Sequence, residues 1–142
     1  MQDSKMREIL KESKVIAVLG LSPEESKPSH KVAKFLQNQG YEILPIYPKG
    51  GDILGVKAFT SLKEAFEAQD KAGVRIDILN VFRKSEMLPE IMRAVLELQN
   101  PPLCVWVQLG LQNAQARKML ENTKIMYIEN LCIKLEYERL FV

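Results

Sequence analysis

The sequence is short of the side chains on which most enzyme chemistry depends. It holds one histidine, His30, and two cysteines, Cys104 and Cys132, in 142 residues. The cysteines lie far apart in apolar surroundings and form no CxxC pair, so neither a zinc site nor a dithiol redox centre is expected; two buried, reduced thiols are. His30 sits beside an expected helix cap, with no Ser or Cys nucleophile in a recognisable motif and no Asp placed to orient it, and reads as structural or exposed. Glu129, Glu136 and Glu138 have the spacing of a solvated helix face and fit no metal-ligand pattern. No residue stands out as catalytic.

Long apolar runs are also missing. The longest, residues 15–19 and 103–107, fall far short of the roughly 20 residues that cross a bilayer, so no membrane span is expected. The first eight residues are polar and include acids, without the apolar segment of a signal peptide, which points to a cytoplasmic protein. Nor is there an excess of one charge: the net charge is +2, with 20 bases scattered among 18 acids. Without a basic stripe, nucleic acid is not an expected partner. With no repeat, linker or low-complexity segment, and 46% hydrophobic and 27% charged residues, the chain reads as one globular domain over residues 1–142, of which 1–13 form a leading helix.

What the sequence does have is alternation. Residues 15–19 are a continuous, β-branched apolar run, suited to a parallel strand covered on both faces. Four further strands are expected at 41–47, 76–82, 103–107 and 125–128. Pro45 removes one ladder donor from the second of these and implies a bulge, a strand end or an unpaired side. Between them lie helices expected from caps at Ser29, Ser61 and Ser85 and from about Asn113, with a last helix over about 131–140. Strands alternating with helices predict an α/β fold: a Rossmann-like, doubly wound, parallel five-stranded sheet with helices on both faces. In such sheets ligands bind beyond the carboxyl ends of the strands, near the point where strand order reverses.

The loop after the first strand, Gly20-Leu21-Ser22-Pro23-Glu24-Glu25-Ser26-Lys27-Pro28, lacks both GxGxxG and GxxxxGK[ST]. It still suits phosphate: Gly20 permits close backbone approach, Ser22 offers a hydroxyl, Lys27 a charge, and the following helix its N-terminal N–H groups. A plain strand-to-helix turn remains the alternative. After the second strand come Pro48 and Lys49, where a nicotinamide-binding domain usually places an acid for the ribose hydroxyls. Lys49 suits a phosphate instead, or it is a solvated surface lysine. Phe82 and Arg83 end the third strand, and Trp106 and Gln108 the fourth, adding an apolar wall, a cation and an amide at the same edge.

In their order and spacing, Val18-Leu19-Gly20-Leu21-Ser22-Pro23, Lys27-Pro28-Ser29, Pro45-Ile46-Tyr47-Pro48-Lys49, Val81-Phe82-Arg83, Trp106-Val107-Gln108-Leu109-Gly110 and Cys132-Ile133-Lys134 resemble the small bacterial CoA-binding domain proteins over residues 14–140. These in turn are similar to the CoA-binding domain of the succinyl-CoA synthetase alpha subunit. The resemblance implies coenzyme A or an acyl-CoA as ligand. Gly20, Leu21, Ser22 and Lys27 would then lie by the diphosphate, Pro48 and Lys49 at the second-strand loop, and Phe82, Arg83 and Gln108 along the rest. It implies a non-catalytic carrier, sensor or regulator, because the synthetase's phosphorylated histidine belongs to a second domain. Two positions depart from the pattern: Leu21 replaces a small residue, where its bulk would narrow backbone approach to a phosphate, and Tyr47 replaces an asparagine. An NAD(P)-binding redox protein and an interaction module with a vestigial nucleotide site are the alternatives, and a protein partner or a homo-oligomer is compatible with either.

Overall fold

A computed structural model describes residues 2–141; Met1 and Val142, the ends of the expected domain, lie outside the described residues. Five parallel strands form the main sheet: β1 (Val15–Leu19), β2 (Glu42–Ile46), β5 (Ile78–Val81), β6 (Cys104–Val107) and β7 (Met126–Ile128). Their order is β2-β1-β5-β6-β7. The chain leaves β1 for β2 on one side and returns to β5 on the other, so strand order reverses beside β1. This is the expected Rossmann-like α/β fold.

The helices are α1 (Gln2–Glu12), α2 (Pro28–Asn38), α3 (Leu62–Ala72), α4 (Leu88–Leu96), α5 (Ala114–Leu120) and α6 (Ile133–Phe141). Strand residues alternate between faces and so divide the core in two. Ile16, Val18, Ile78, Cys104 and Trp106 pack with Met6 and Leu10 of α1, Val32, Ala33 and Leu36 of α2, and Ile133 and Leu140 of α6. Val15, Ala17, Leu19, Leu79, Val81, Val105 and Val107 pack with Phe66 of α3, Met92 of α4 and Leu120 of α5. Every residue of β1 is buried, as its uninterrupted apolar run requires. The leading helix is therefore part of the core rather than a preface to it. No helix among the described residues is long and apolar enough to cross a membrane.

Pro45 sits in the edge strand with its carbonyl accepting from Phe59 N–H on the outer side, while Gly20 N–H reaches Ile46 O on the inner side. In a parallel strand a residue's N and C=O share a side, so the missing proline donor faces outward and β1 loses no bond. Beyond β2 the chain makes a small hairpin, absent from the expected elements, β3 (Asp52–Ile53) and β4 (Val56–Lys57). Leu54 and Gly55 turn it at φ values of 54° and 77°, and Gln37 Nε2 of α2 holds Leu54 O at 3.0 Å.

Two of the expected helix starts differ. Ser61 and Asn113 do cap α3 and α5, accepting from Glu64 N and Ala116 N. Ser29, however, lies inside α2 behind Pro28, with Lys27 at the cap position, and its Oγ accepts from Ser22 N at 3.0 Å instead. Ser85 opens a short 3-10 turn ahead of α4, and its Oγ accepts from Gln112 N. Of the two thiols expected to be buried, Cys104 is, and Cys132 is half-buried. Burial raises the Cys104 thiol far above its usual pKa.

Candidate functional site

The carboxyl ends of β2, β1, β5 and β6 carry, in that order across the sheet, Pro48 and Lys49, the Gly20 loop, Phe82 and Arg83, and Gln108. The expected site residues thus share one sheet edge, at the strand-order reversal. They do not all face outward from it.

Gly20 is held by both neighbours: its N–H reaches Ile46 O of β2 at 3.1 Å, and Phe82 N–H of the β5 end reaches Leu19 O at 2.9 Å. Its φ is +88°, and a Cβ there would lie 2.5 Å from Phe82 O and 3.2 Å from Arg83 Cδ. The glycine is required because β1 and β5 close on one another, and the stem of Arg83 lies across it. Close approach to a ligand, the reason expected from sequence, is not what fills this space.

Leu21 is 0% exposed and belongs to the core between β1, α2 and α6. Its side chain is taken up in the core and does not stand out from the loop, where the expected obstruction would have required it. The rest of the loop is pinned from α2. Besides the Ser29 bond to Ser22 N, the Nδ1 of buried His30 lies 2.9 Å from Ser22 O, which fixes the proton on Nδ1 because a carbonyl only accepts. The Ser22 Oγ accepts from Glu24 N at 3.1 Å and keeps its own proton to donate.

Donors at the helix start are fewer than expected. Pro28 has no N–H, and those of His30 and Lys31 both go to Lys27 O. The N–H groups of Leu21 and Ser29 have no hydrogen-bond partner among the described residues. Lys27 is exposed, and its Nζ lies 3.9 Å from Glu24 Oε2.

Tyr47, Pro48, Lys49 and Gly50 form a turn closed by Gly50 N–H to Tyr47 O at 2.9 Å. Tyr47 is half-buried against the core and Lys49 is exposed at the turn. Arg83 is half-buried, yet among the described residues it makes neither an ion pair nor a hydrogen bond. With Pro48 it lines a cleft of about 270 Å³ together with the apolar Leu19, Ile46, Leu62 and Ile91 and the acid Glu90, with which it forms no ion pair. Phe82 is half-buried on the opposite face of the sheet, against the core.

Gln108 is 6% exposed. Its Oε1 accepts from Ile133 N, at the start of α6, and from Asn80 Nδ2, at 3.3 and 3.4 Å. The amide therefore anchors α6 to the end of β6 and has only its Nε2 left to offer. Asn80, which the sequence reading passed over, is fully buried in the middle of the sheet and donates also to Trp106 O at 3.1 Å, while its Oδ1 has no partner among the described residues. A polar residue within the apolar run Ile78-Leu79-Asn80-Val81 was the signal for it. Trp106 is core rather than an apolar wall: it is 0% exposed, with Nε1 bound to Leu131 O.

The family model for a CoA binding domain matches residues 14–138. The protein YneT of Bacillus subtilis (strain 168), described as uncharacterized, is 43% identical over 134 residues, covering 94% of this chain and 93% of its own. A solved structure from Thermus thermophilus, cell-free ID.343, superimposes with a TM-score of 0.84 at 33% identity, covering 99% of this chain and all of the other. A hypothetical protein from Pyrococcus horikoshii OT3 gives 0.86 at 27% identity, covering 100% of this chain and 94% of the other.

Proposed function

The chain belongs to the CoA binding domain family, and on that premise we propose that it binds coenzyme A or an acyl-CoA at the carboxyl edge of the sheet, as a non-catalytic carrier, sensor or regulator. The observation that carries the reading is Arg83. A half-buried guanidinium without a counter-ion has lost part of its hydration and gained nothing in return, and an anion bound beside it restores that loss.

On the Gly20 loop, across which the stem of Arg83 lies, the donors suit a diphosphate: the unpartnered N–H groups of Leu21 and Ser29 and the Ser22 hydroxyl, on a loop locked by Ser29 and His30. Lys49, on the next turn along the edge, would meet the ribose 3′-phosphate. The apolar part of the cleft beside Arg83 and Pro48, Leu19, Ile46, Leu62 and Ile91, suits the pantetheine arm. Coenzyme A supplies a thiol for carrying acyl groups; this chain's residues bind and orient it.

Calorimetric titration with CoA and dephospho-CoA tests the reading. CoA is expected to bind about tenfold more tightly than its dephospho form, with Lys49→Ala removing most of that difference, as for one charge-assisted contact. Arg83→Ala is expected to weaken both ligands alike. No heat with either ligand at millimolar concentration would sink the proposal, and a response to nicotinamide nucleotides alone would replace it.

A further inference from the structure

A second cleft lies away from the Gly20 edge, where the chain enters β1 and β2. It has a volume of about 540 Å³ and is bounded by the second half of α1, the end of α2 and the end of α6. Its lining includes Arg7, Lys11 and Lys14 and no acid. None of the three is in an ion pair among the described residues. Of Lys14, Asp77 Oδ2 accepts only the backbone N–H, at 2.8 Å, and Asp3, which feels the charge of Arg7, is held by Arg139, so the three cations lining this one cavity favour an anion in it.

Two further features make it more than a basic surface. Ser13, which also lines the cleft, is only 6% exposed, and its Oγ is buried with no hydrogen-bond partner among the described residues. Buried hydroxyls are paired as a rule, and one left over on a cavity wall points to a polar occupant. The opposite wall is aromatic: the Tyr137 and Phe141 rings lie 4.9 Å apart at 33°, Tyr41 meets Tyr137 edge-on, and Arg7 lies 6.0 Å from the Phe141 ring. Phe141 is 37% exposed, so its ring, already approached by Arg7 and Tyr137, still borders the cleft with aromatic surface against which a flat group can pack.

We infer that this cleft is a second ligand site, independent of the Gly20 edge, for a small organic phosphate that carries a planar ring, of the nucleoside mono- or diphosphate class. The phosphate lies among Arg7, Lys11, Lys14 and the Ser13 hydroxyl, and the ring packs against the exposed part of Phe141.

The test is an amide chemical-shift titration of the full-length labelled chain with ADP, inorganic phosphate and adenosine. ADP is expected to shift the amides of Lys14, Gly40 and Phe141 to saturation, with phosphate or adenosine alone about tenfold weaker or worse. Lys11→Ala, Lys14→Ala and Ser13→Ala should each weaken ADP about three- to tenfold at these amides, as for single contacts to a charged group, while Lys49→Ala leaves them unchanged. Ser13→Ala removes one oxygen, so a purely structural Ser13 would leave ADP affinity where it was and count against the inference. ADP shifts confined to Gly20 and Gly50, or no saturable shift at Gly40 with millimolar ADP, would overturn it. So would phosphate binding as tightly as ADP, or shifts that follow protein concentration in place of ligand, the mark of a contact between copies.

Discussion

Single residues decide the shape of the edge. Gly20→Ala forces a side chain into a positive φ and onto the Phe82 carbonyl, which as backbone cannot swing aside. The substitution is expected to cost on the order of 2–3 kcal/mol in denaturant unfolding, from strain and clash together; a loss within the error of the curves would refute the close approach of β1 and β5. The sequence showed that this position is special without showing why. Glycine answers equally to a near ligand and to a near strand, and only the register of β1 against β5 separates them. Leu21 was illegible for a related reason: a loop has no periodicity from which to read side-chain direction, so a leucine beside a glycine looked like an obstruction when it is a core residue. Tyr41 gives a pH signature at this scale. It is buried, with its hydroxyl donated to Leu10 O, and burial, then the neighbouring Tyr137, push its pKa up to about 12. The folded state thus favours the neutral phenol more than the unfolded chain does. That stabilisation is complete below the unfolded value of about 10 and is lost as pH rises from there through 12. Urea midpoints followed over this range should fall for the wild type and fall less for Tyr41→Phe; parallel curves would show that Tyr41 ionises freely.

At the scale of elements, the starts of the helices show what local sequence can and cannot specify. Ser61 and Asn113 cap as their positions suggest, because no other group competes for their oxygens. Ser29 and Ser85 carry the same signal and are drawn elsewhere, to Ser22 N across the loop and to Gln112 N, 27 residues away. A cap signal is local, whereas the competing partner is chosen by tertiary structure. The β3–β4 hairpin was missed because each strand has two residues, too short for alternation to register, and its turn is Leu-Gly where Asn-Gly would have been recognised. The diverted Ser29 has a consequence that can be measured. Its hydroxyl and His30 are what pin Ser22 to α2, so Ser29→Ala should speed amide exchange at Ser22 several-fold or more while α2 amides keep their protection. Unchanged exchange at Ser22 would mean that the loop is rigid without this bond. If the loop is the diphosphate site, the same variant should also weaken CoA, since the freed loop must be ordered on binding.

For the whole molecule, alternation of strands and helices was enough to read the parallel sheet, its two covered faces and the edge at which to look for a ligand, since right-handed crossovers leave few other arrangements. What alternation could not reveal was how the first helix joins the rest. The family match starts at residue 14, yet Met6 and Leu10 of α1 are 2% and 1% exposed within the α2/α6 core. Besides that apolar burial, the Tyr41 hydroxyl on Leu10 O and Arg7 against the Phe141 ring, the helix is held by a surface clasp in which Arg139 of α6 makes 2.9 Å bonds to both carboxylate oxygens of Asp3 and also binds Glu136. The clasp lowers the pKa of Asp3, first through its hydrogen bond to Arg139. Its members are solvent-exposed, however, and water and salt screen such pairs. The core contact should therefore dominate. Leu10→Ala is expected to lower unfolding stability by about 2–5 kcal/mol, the range for a buried leucine, and Arg139→Ala to leave it nearly unchanged at physiological salt. A larger loss for Arg139→Ala than for Leu10→Ala would reverse that assignment and make α1 an electrostatically clasped appendage. Leu10 also lines the basic cleft, so a Leu10→Ala chain that stays folded should show weakened ADP shifts at Gly40 as well, linking the packing of α1 to the second site.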